Sequence, residues 1–110
     1  MFADILKLIL QLSHKDVFLD FFKDKKSLIL GLRSGKHLNI KTNRLYIQKD
    51  SKLLPVLQFS KKCNEDIKKY TSSGYTLYDA AIRFICVWKG KEDTDESAII
   101  LADLYFCMNK

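Results

Sequence analysis

The side chains in this sequence that could do chemistry together lie between residues 33 and 46, and their chemistry is phosphate contact. Arginine and lysine pair with phosphate oxygens, asparagine and histidine add hydrogen bonds, and a tyrosine ring can stack on a base. The candidate binding residues are Arg33, Lys36, His37, Asn39, Lys41, Arg44 and Tyr46. Their types indicate the binding of a nucleic acid, DNA or RNA, through its backbone.

The charge of the chain is concentrated around these candidates. The net charge is +6 and the pI is about 9.2. Residues 25–52 hold eight of the 19 Lys and Arg residues and one acid, Asp50, whereas residues 1–24 and 76–110 are each slightly acidic. A local group of cations attracts polyanions by Coulomb forces and counterion release. The ordinary alternative is the solvated face of a one-sided sheet, where Lys and Arg also discourage edge pairing.

The sequence contains no pattern typical of a metal site, a cofactor site or a disulfide framework. The three cysteines are widely spaced and show no ligand spacing to either histidine, which predicts no metal, no cofactor and no disulfide framework. They are Cys63, Cys86 and Cys107. Free thiols of this kind are typical of a reducing, cytoplasmic compartment. The acidic loop at 92–96 lacks the Gly and Glu that a calcium loop needs.

Catalysis and membrane insertion are not indicated either. The chain has no glycine-rich phosphate loop, no nucleophile elbow and no paired carboxylates, so we expect a non-enzymatic protein. The apolar start lacks a basic leader region and is interrupted by Lys7 and Gln11. It therefore predicts neither a signal peptide nor a transmembrane helix.

The elements that must position the candidates form a predicted β-meander over residues 28–48. A loop of Arg33-Ser34-Gly35, with Gly35 at positive φ, puts the leucines of residues 28–32 on the same face as Leu38 and Ile40. A second turn at Thr42-Asn43 puts Ile40 opposite Leu45. The polar candidates of both strands then share the outer face.

The N-terminal segment is predicted to form two helices. Apolar residues recur at helical spacing over residues 2–12. Ser13 would cap a second helix, with Asp16 as the partner in a variant capping box, and that helix would end near residues 23–26. A helix that is apolar over most of its circumference is usually buried, but in a small domain it could also meet a protein partner or a second copy. Such a contact would involve residues 2–22.

The rest of the chain predicts a strand, a helix and a hairpin. Residues 53–59 read as a strand with Pro55 near its start or at an edge. Ser60 caps a helix that stops at Gly74. Residues 75–88 read as a buried strand, and residues 98–107 read as a strand pairing back onto it, although a helix is also compatible with so short an apolar run.

These elements predict a single domain, residues 1–110, of the α+β class with one mainly antiparallel sheet. Its expected order is two N-terminal helices, a β-meander, one central helix and a C-terminal β-hairpin. The leading functional hypothesis is a small, basic, non-enzymatic domain that binds nucleic acid through the outer face of the meander. The alternative is a regulatory protein-interaction module, of a viral or phage type, that docks through the apolar N-terminal helix.

Overall fold

The computed structural model describes residues 5–88 and 97–109 and is built around one antiparallel sheet. The six strands are β1 (Ile5–Gln11), β2 (His37–Lys41), β3 (Arg44–Lys49), β4 (Lys52–Gln58), β5 (Thr76–Trp88) and β6 (Ser97–Asn109). They lie in the order β1-β6-β5-β2-β3-β4. Helices α1 (Lys26–Leu30) and α2 (Lys61–Ser72) and a 3-10 helix (Leu19–Phe22) complete the described elements. The molecule is a strand-rich half-barrel, so the predicted α+β class is wrong.

The first predicted helix is instead strand β1. It pairs with β6 without interruption, from Ile5 opposite Asn109 to Gln11 opposite Asp103. Its run of apolar residues fits a helix and a strand equally well, and pairing with a strand at the other end of the chain decides the outcome. The docking helix of the alternative functional hypothesis is therefore absent from the described residues.

The second predicted helix is replaced by a turn and the short 3-10 helix. Ser13 does not cap a helix: its backbone N–H and its hydroxyl both donate to the carboxylate of Asp16, at 2.8 and 3.1 Å. The Asp16 N–H donates in turn to the Ser13 carbonyl at 2.9 Å. The two residues predicted as a capping pair do contact each other, but they close a turn.

Residues 28–32, predicted as the first strand of the meander, belong to α1 and the turn that follows it. The reason lies in the neighbours of β2. Strand β2 pairs with β3 on one side and with β5 on the other, where Leu38 lies opposite Ala80. Residues 28–32 cannot pair with β2, because β5 occupies the side of β2 on which the predicted hairpin strand would lie. They form α1 instead, in which Ile29 is fully buried.

Several other elements follow the sequence predictions. Ile40 lies opposite Leu45 across the Thr42-Asn43 turn, and Gly35 adopts a φ of 89°. Strand β4 is an edge strand, as its proline indicated. Ser60 caps α2 by accepting the N–H of Cys63 at 3.2 Å. The segment that could have been strand or helix is the strand β6, paired with β5. The polar loop predicted at 90–97 lies outside the described residues except for Ser97, which begins β6.

The hydrophobic core lies where α1, the 3-10 helix and α2 cover the sheet. Phe22, Ile29 and Phe106 are fully buried, and the ring of Tyr70 on α2 lies 5.5 Å from that of Phe106. Burying one such side chain contributes roughly 1.5–3 kcal/mol. No helix within the described ranges has the length and apolar character that crossing a membrane requires.

Candidate nucleic-acid interface

Strand β2 presents its polar side chains on the outer face of the sheet. His37, Asn39 and Lys41 are exposed, whereas Leu38 is buried and Ile40 is half-buried. Successive side chains of a strand point to opposite faces, so the three polar residues share one side of β2. The alternation predicted for this strand is confirmed.

Strand β3 extends the same face. Asn39 lies opposite Tyr46, and Lys41 lies opposite Arg44. Opposed residues of antiparallel strands place their side chains on one face, about 5 Å apart. These four residues, called the β2–β3 patch below, combine two cations, an amide and an aromatic ring. Strands β2, β3 and β4 contain no Asp or Glu, so no carboxylate within them offsets the two cations.

Arg44 is oriented by its neighbours. Its Nε donates to Oε1 of Gln58 on β4 at 2.9 Å. Its guanidinium carbon lies 5.0 Å from the centre of the Phe21 ring, and Nζ of Lys25 lies 4.6 Å from the same ring. Both distances are typical of cation–π contacts. The contact with Gln58 uses Nε, and a guanidinium has further N–H donors on its two terminal nitrogens.

His37 belongs to the outer face but is paired with a carboxylate. Its Nδ1 lies 2.8 Å from Oδ2 of Asp79 on β5. The other oxygen of Asp79 accepts the N–H of Ala80, also at 2.8 Å. The patch therefore has a negative charge on its β5 side, next to the histidine.

Arg33 and Lys36 lie in the loop before β2, at the other end of that strand from Lys41. The N–H of Gly35 donates to the carbonyl of Ile82 at 2.7 Å, and the N–H of Ile82 donates to the carbonyl of Lys36 at 2.9 Å. Both side chains are exposed. At about 3.3 Å per residue, Lys36 is roughly 17 Å from Lys41. The structure thus groups four of the seven predicted residues. It places His37 on the same face, paired with Asp79, and it separates Arg33 and Lys36 from the group.

Two parts of this surface lie outside the predicted site residues: the Phe21 ring and one side of α2. An open depression of about 430 Å³ is lined in part by Asn43, Lys61, Lys68 and an acidic residue between the two lysines, Glu65. The two lysines are seven residues apart, close to two helical turns, so they share one side of α2. That spacing is visible in the sequence, but only the tertiary fold brings this side of the helix to Asn43, in the turn between β2 and β3.

The molecule is thus a small strand-rich half-barrel in which Lys41 and Arg44 lie opposite each other on the outer face of β2 and β3. No family model, no curated protein and no solved structure matches the chain. In the described ranges, 5–88 and 97–109, no group of three His, Cys, Asp or Glu is placed to hold a metal ion.

Proposed function

We propose that this protein binds the phosphate backbone of a nucleic acid through the outer face of β2, β3 and β4, and that it acts without catalysis. The observation that carries the proposal is the opposition of Lys41 to Arg44, and of Asn39 to Tyr46, in strands free of acidic residues. The cations pair with phosphate oxygens, and the tyrosine can stack on an unpaired base.

Cations outside the β2–β3 patch extend the proposed contact with the nucleic-acid backbone. Lys61 and Lys68 line the depression next to the β2–β3 turn, and Arg33 and Lys36 lie at the far end of β2. Contacts to phosphate position a protein on the strand but do not read its bases. The proposed binding is therefore independent of sequence, and its affinity falls as salt rises.

Charge reversal at Lys41 tests the proposal. Lys41 is exposed and lies in the patch, so Lys41→Glu changes the surface charge without removing a buried group. We expect the variant to bind labelled single-stranded and duplex oligonucleotides roughly tenfold more weakly at ~50 mM salt, and its plot of log affinity against log salt to be shallower by about one unit. Fluorescence anisotropy between about 50 and 200 mM salt measures both quantities.

The matched control is Lys69→Glu. Lys69 is exposed, lies in the last turn of α2 and is not among the residues that line the depression, because it points about 100° round the helix from Lys68. It undergoes the same change of charge, so it reports the effect of net charge alone, and we expect a loss of less than about threefold. Absence of binding by the unaltered protein at ~50 mM salt contradicts the proposal. So does an equal loss in the two variants.

A further inference from the structure

The two edges of the described sheet differ in how they are protected. Strand β4 has Pro55 in its middle and a register shift in its pairing with β3. Its last residues are also covered, because Val17 bridges to Phe59 and the N–H of Phe18 donates to the carbonyl of Gln58 at 2.8 Å. Proline, irregular pairing and a covering segment are the devices by which proteins block edge-to-edge association.

Strand β1, the other edge, has no proline and no register shift along residues 5–11, and no described segment bridges to its free side. Its sequence is ILKLILQ, with no proline or glycine and a single charge, on Lys7. All seven residues pair with β6 in one continuous register. Ile9 is 54% exposed, the most exposed of the large hydrophobic residues in the described structure. A flat, apolar edge strand is a template for pairing with another chain.

The direction of the β1 backbone groups follows from one hydrogen bond. The N–H of Leu12 donates to the carbonyl of Ala102 on β6 at 3.0 Å. In an antiparallel pair, residues alternate between those that exchange hydrogen bonds with the partner strand and those whose N–H and C=O point away. Even-numbered residues of β1 therefore bond to β6, and the backbone groups of Lys7, Ile9 and Gln11 point away from it.

We infer that β1 pairs with β1 of a second copy of this chain, antiparallel and centred on Leu8, to form a homodimer with one continuous sheet. The inference rests on different residues from the proposed nucleic-acid surface. When the pair is centred on Leu8, all seven residues of each strand lie opposite a residue of the other strand. In this register the outward-pointing N–H and C=O groups of one strand face those of the other. About eight intermolecular backbone hydrogen bonds result, two for each outward-facing pair.

The charge pattern of β1 fits a second copy in this register. Lys7 of one subunit lies opposite Ile9 of the partner subunit, so the two lysines do not face each other. Centring one residue earlier would oppose Lys7 to its own copy, and like charges directly opposite are destabilising. The contact of two seven-residue strands is small, so the dimer is expected to be weak and to form with rising concentration.

Hydrogen exchange followed residue by residue tests this register. As concentration rises about a hundredfold, the amides of Lys7, Ile9 and Gln11 gain at least tenfold protection. The amides of Leu8 and Leu10 bond to β6 within the subunit and change less. Sedimentation equilibrium of the same samples reports the dimer directly. A strict monomer at the highest concentration overturns the inference, as does protection that is independent of concentration.

Two substitutions at one position separate edge pairing from folding. Ile9→Pro removes an outward N–H and leaves the ladder to β6 intact, a position at which edge strands accept proline. Ile9→Lys keeps the N–H but places a cation opposite Lys7 of the partner subunit. Both should weaken dimerisation at least tenfold. If the proline variant does not fold, the dimerisation of Ile9→Lys tests the pairing of β1 by itself.

The control is Leu53→Lys, a similar change at an exposed residue of β4. An effect of the control equal to that of Ile9→Lys refutes the assignment to β1.

Discussion

Nζ of Lys62 lies 2.9 Å from Oδ1 of Asp16, joining helix α2 to the turn that follows β1. Asp16 is the buried charged residue of the described core, with a relative exposure of 6%. Two further bonds connect the same segments: Ser60 Oγ donates to the carbonyl of Lys15, and Ser60 N–H donates to the carbonyl of Asp16, both at 2.9 Å. The turn and the N-terminal end of α2 therefore form one hydrogen-bonded unit.

Replacing Asp16 by asparagine should destabilise the protein. The amide can still accept from Ser13, but its NH₂ group then meets the ammonium of Lys62, and one buried bond is lost. We expect the free energy of unfolding to fall by about 1–3 kcal/mol, as measured by urea denaturation. The control is Asp66→Asn, which removes the other carboxylate bound to Lys62, at 3.0 Å, where the contact is exposed. Its cost should stay below about 1 kcal/mol.

The same carboxylate gives the stability a defined dependence on pH. Burial raises the pKa of the Asp16 carboxyl, but hydrogen bonds from Ser13 and Lys62 outweigh burial and hold the pKa below its usual value. The unfolded chain thus binds more protons at this site than the folded one near pH 4, so the contribution of Asp16 is present above that pH and is lost on further acidification. The stability difference between the unaltered protein and Asp16→Asn should shrink as pH falls below about 4. A difference that grows there contradicts this assignment.

The part of the fold that could be predicted from the sequence is the part decided by local signals. Ser60 and Gly74 bracket α2 by capping chemistry, and Gly35 takes the positive φ that its turn requires. The long apolar run of β5 and its return in β6 also identify a hairpin. In each case the element can be identified from residues that are close to it in the sequence.

The N-terminal half could not be predicted, because its partners are distant in the chain. Lys7 and Gln11 are the only polar residues of the segment 5–11, and its apolar residues fit a period of 3.6 as well as a period of 2. Pairing with β6 about a hundred residues later therefore determines the strand. Residues 28–32 could have formed a hairpin with β2, but β5 fills that position. The candidate site was affected in the same way: the alternation of β2 and β3 was predictable, whereas the contact of Arg44 with Phe21 depends on how the 3-10 helix packs.

Cys63 should be the least reactive thiol of the described chain. It is fully buried in the first turn of α2. Burial, reinforced by the carboxylates of Asp16 and Asp66, raises its pKa to about 12. Only about one molecule in ten thousand then carries the thiolate at pH 8, and alkylating reagents react with the thiolate. Mass spectrometry after iodoacetamide treatment should show Cys63 unmodified in the native protein and modified in urea.

A matched variant identifies the signal that belongs to Cys63. Cys63→Ala should leave the fast alkylation of the native protein unchanged and should remove one equivalent of the thiol exposed by urea. The half-buried Cys107 provides the comparison within the native chain. Labelling of Cys63 at the rate of Cys107 before urea is added contradicts the burial of the thiol.

The contact between His37 and Asp79 gives a prediction of opposite sign to the loss expected at Lys41. Asp79 is an acid beside the β2–β3 patch, and its side chain is 32% exposed. In water, its charge repels a phosphate roughly 8 Å away by about 0.5 kcal/mol. Asp79→Asn removes that repulsion while the amide oxygen can still accept the N–H of Ala80. The affinity for a single-stranded oligonucleotide should therefore rise about twofold at ~50 mM salt, and the gain should shrink at ~200 mM as the charges are screened.

The control for that gain is Asp66→Asn, which makes the same change of net charge on α2, outside the β2–β3 patch. If both variants gain affinity equally, the increase reflects total charge, and the surface around β2 has no special role. If Asp79→Asn alone gains, the phosphate lies near His37, as the proposed contact requires. A loss of affinity in Asp79→Asn at unchanged stability would mean that this carboxylate supports binding, which contradicts an anionic ligand at the patch. Anisotropy titrations paired with urea denaturation of each variant distinguish these results, because gain-of-binding variants are not easily mistaken for misfolded ones.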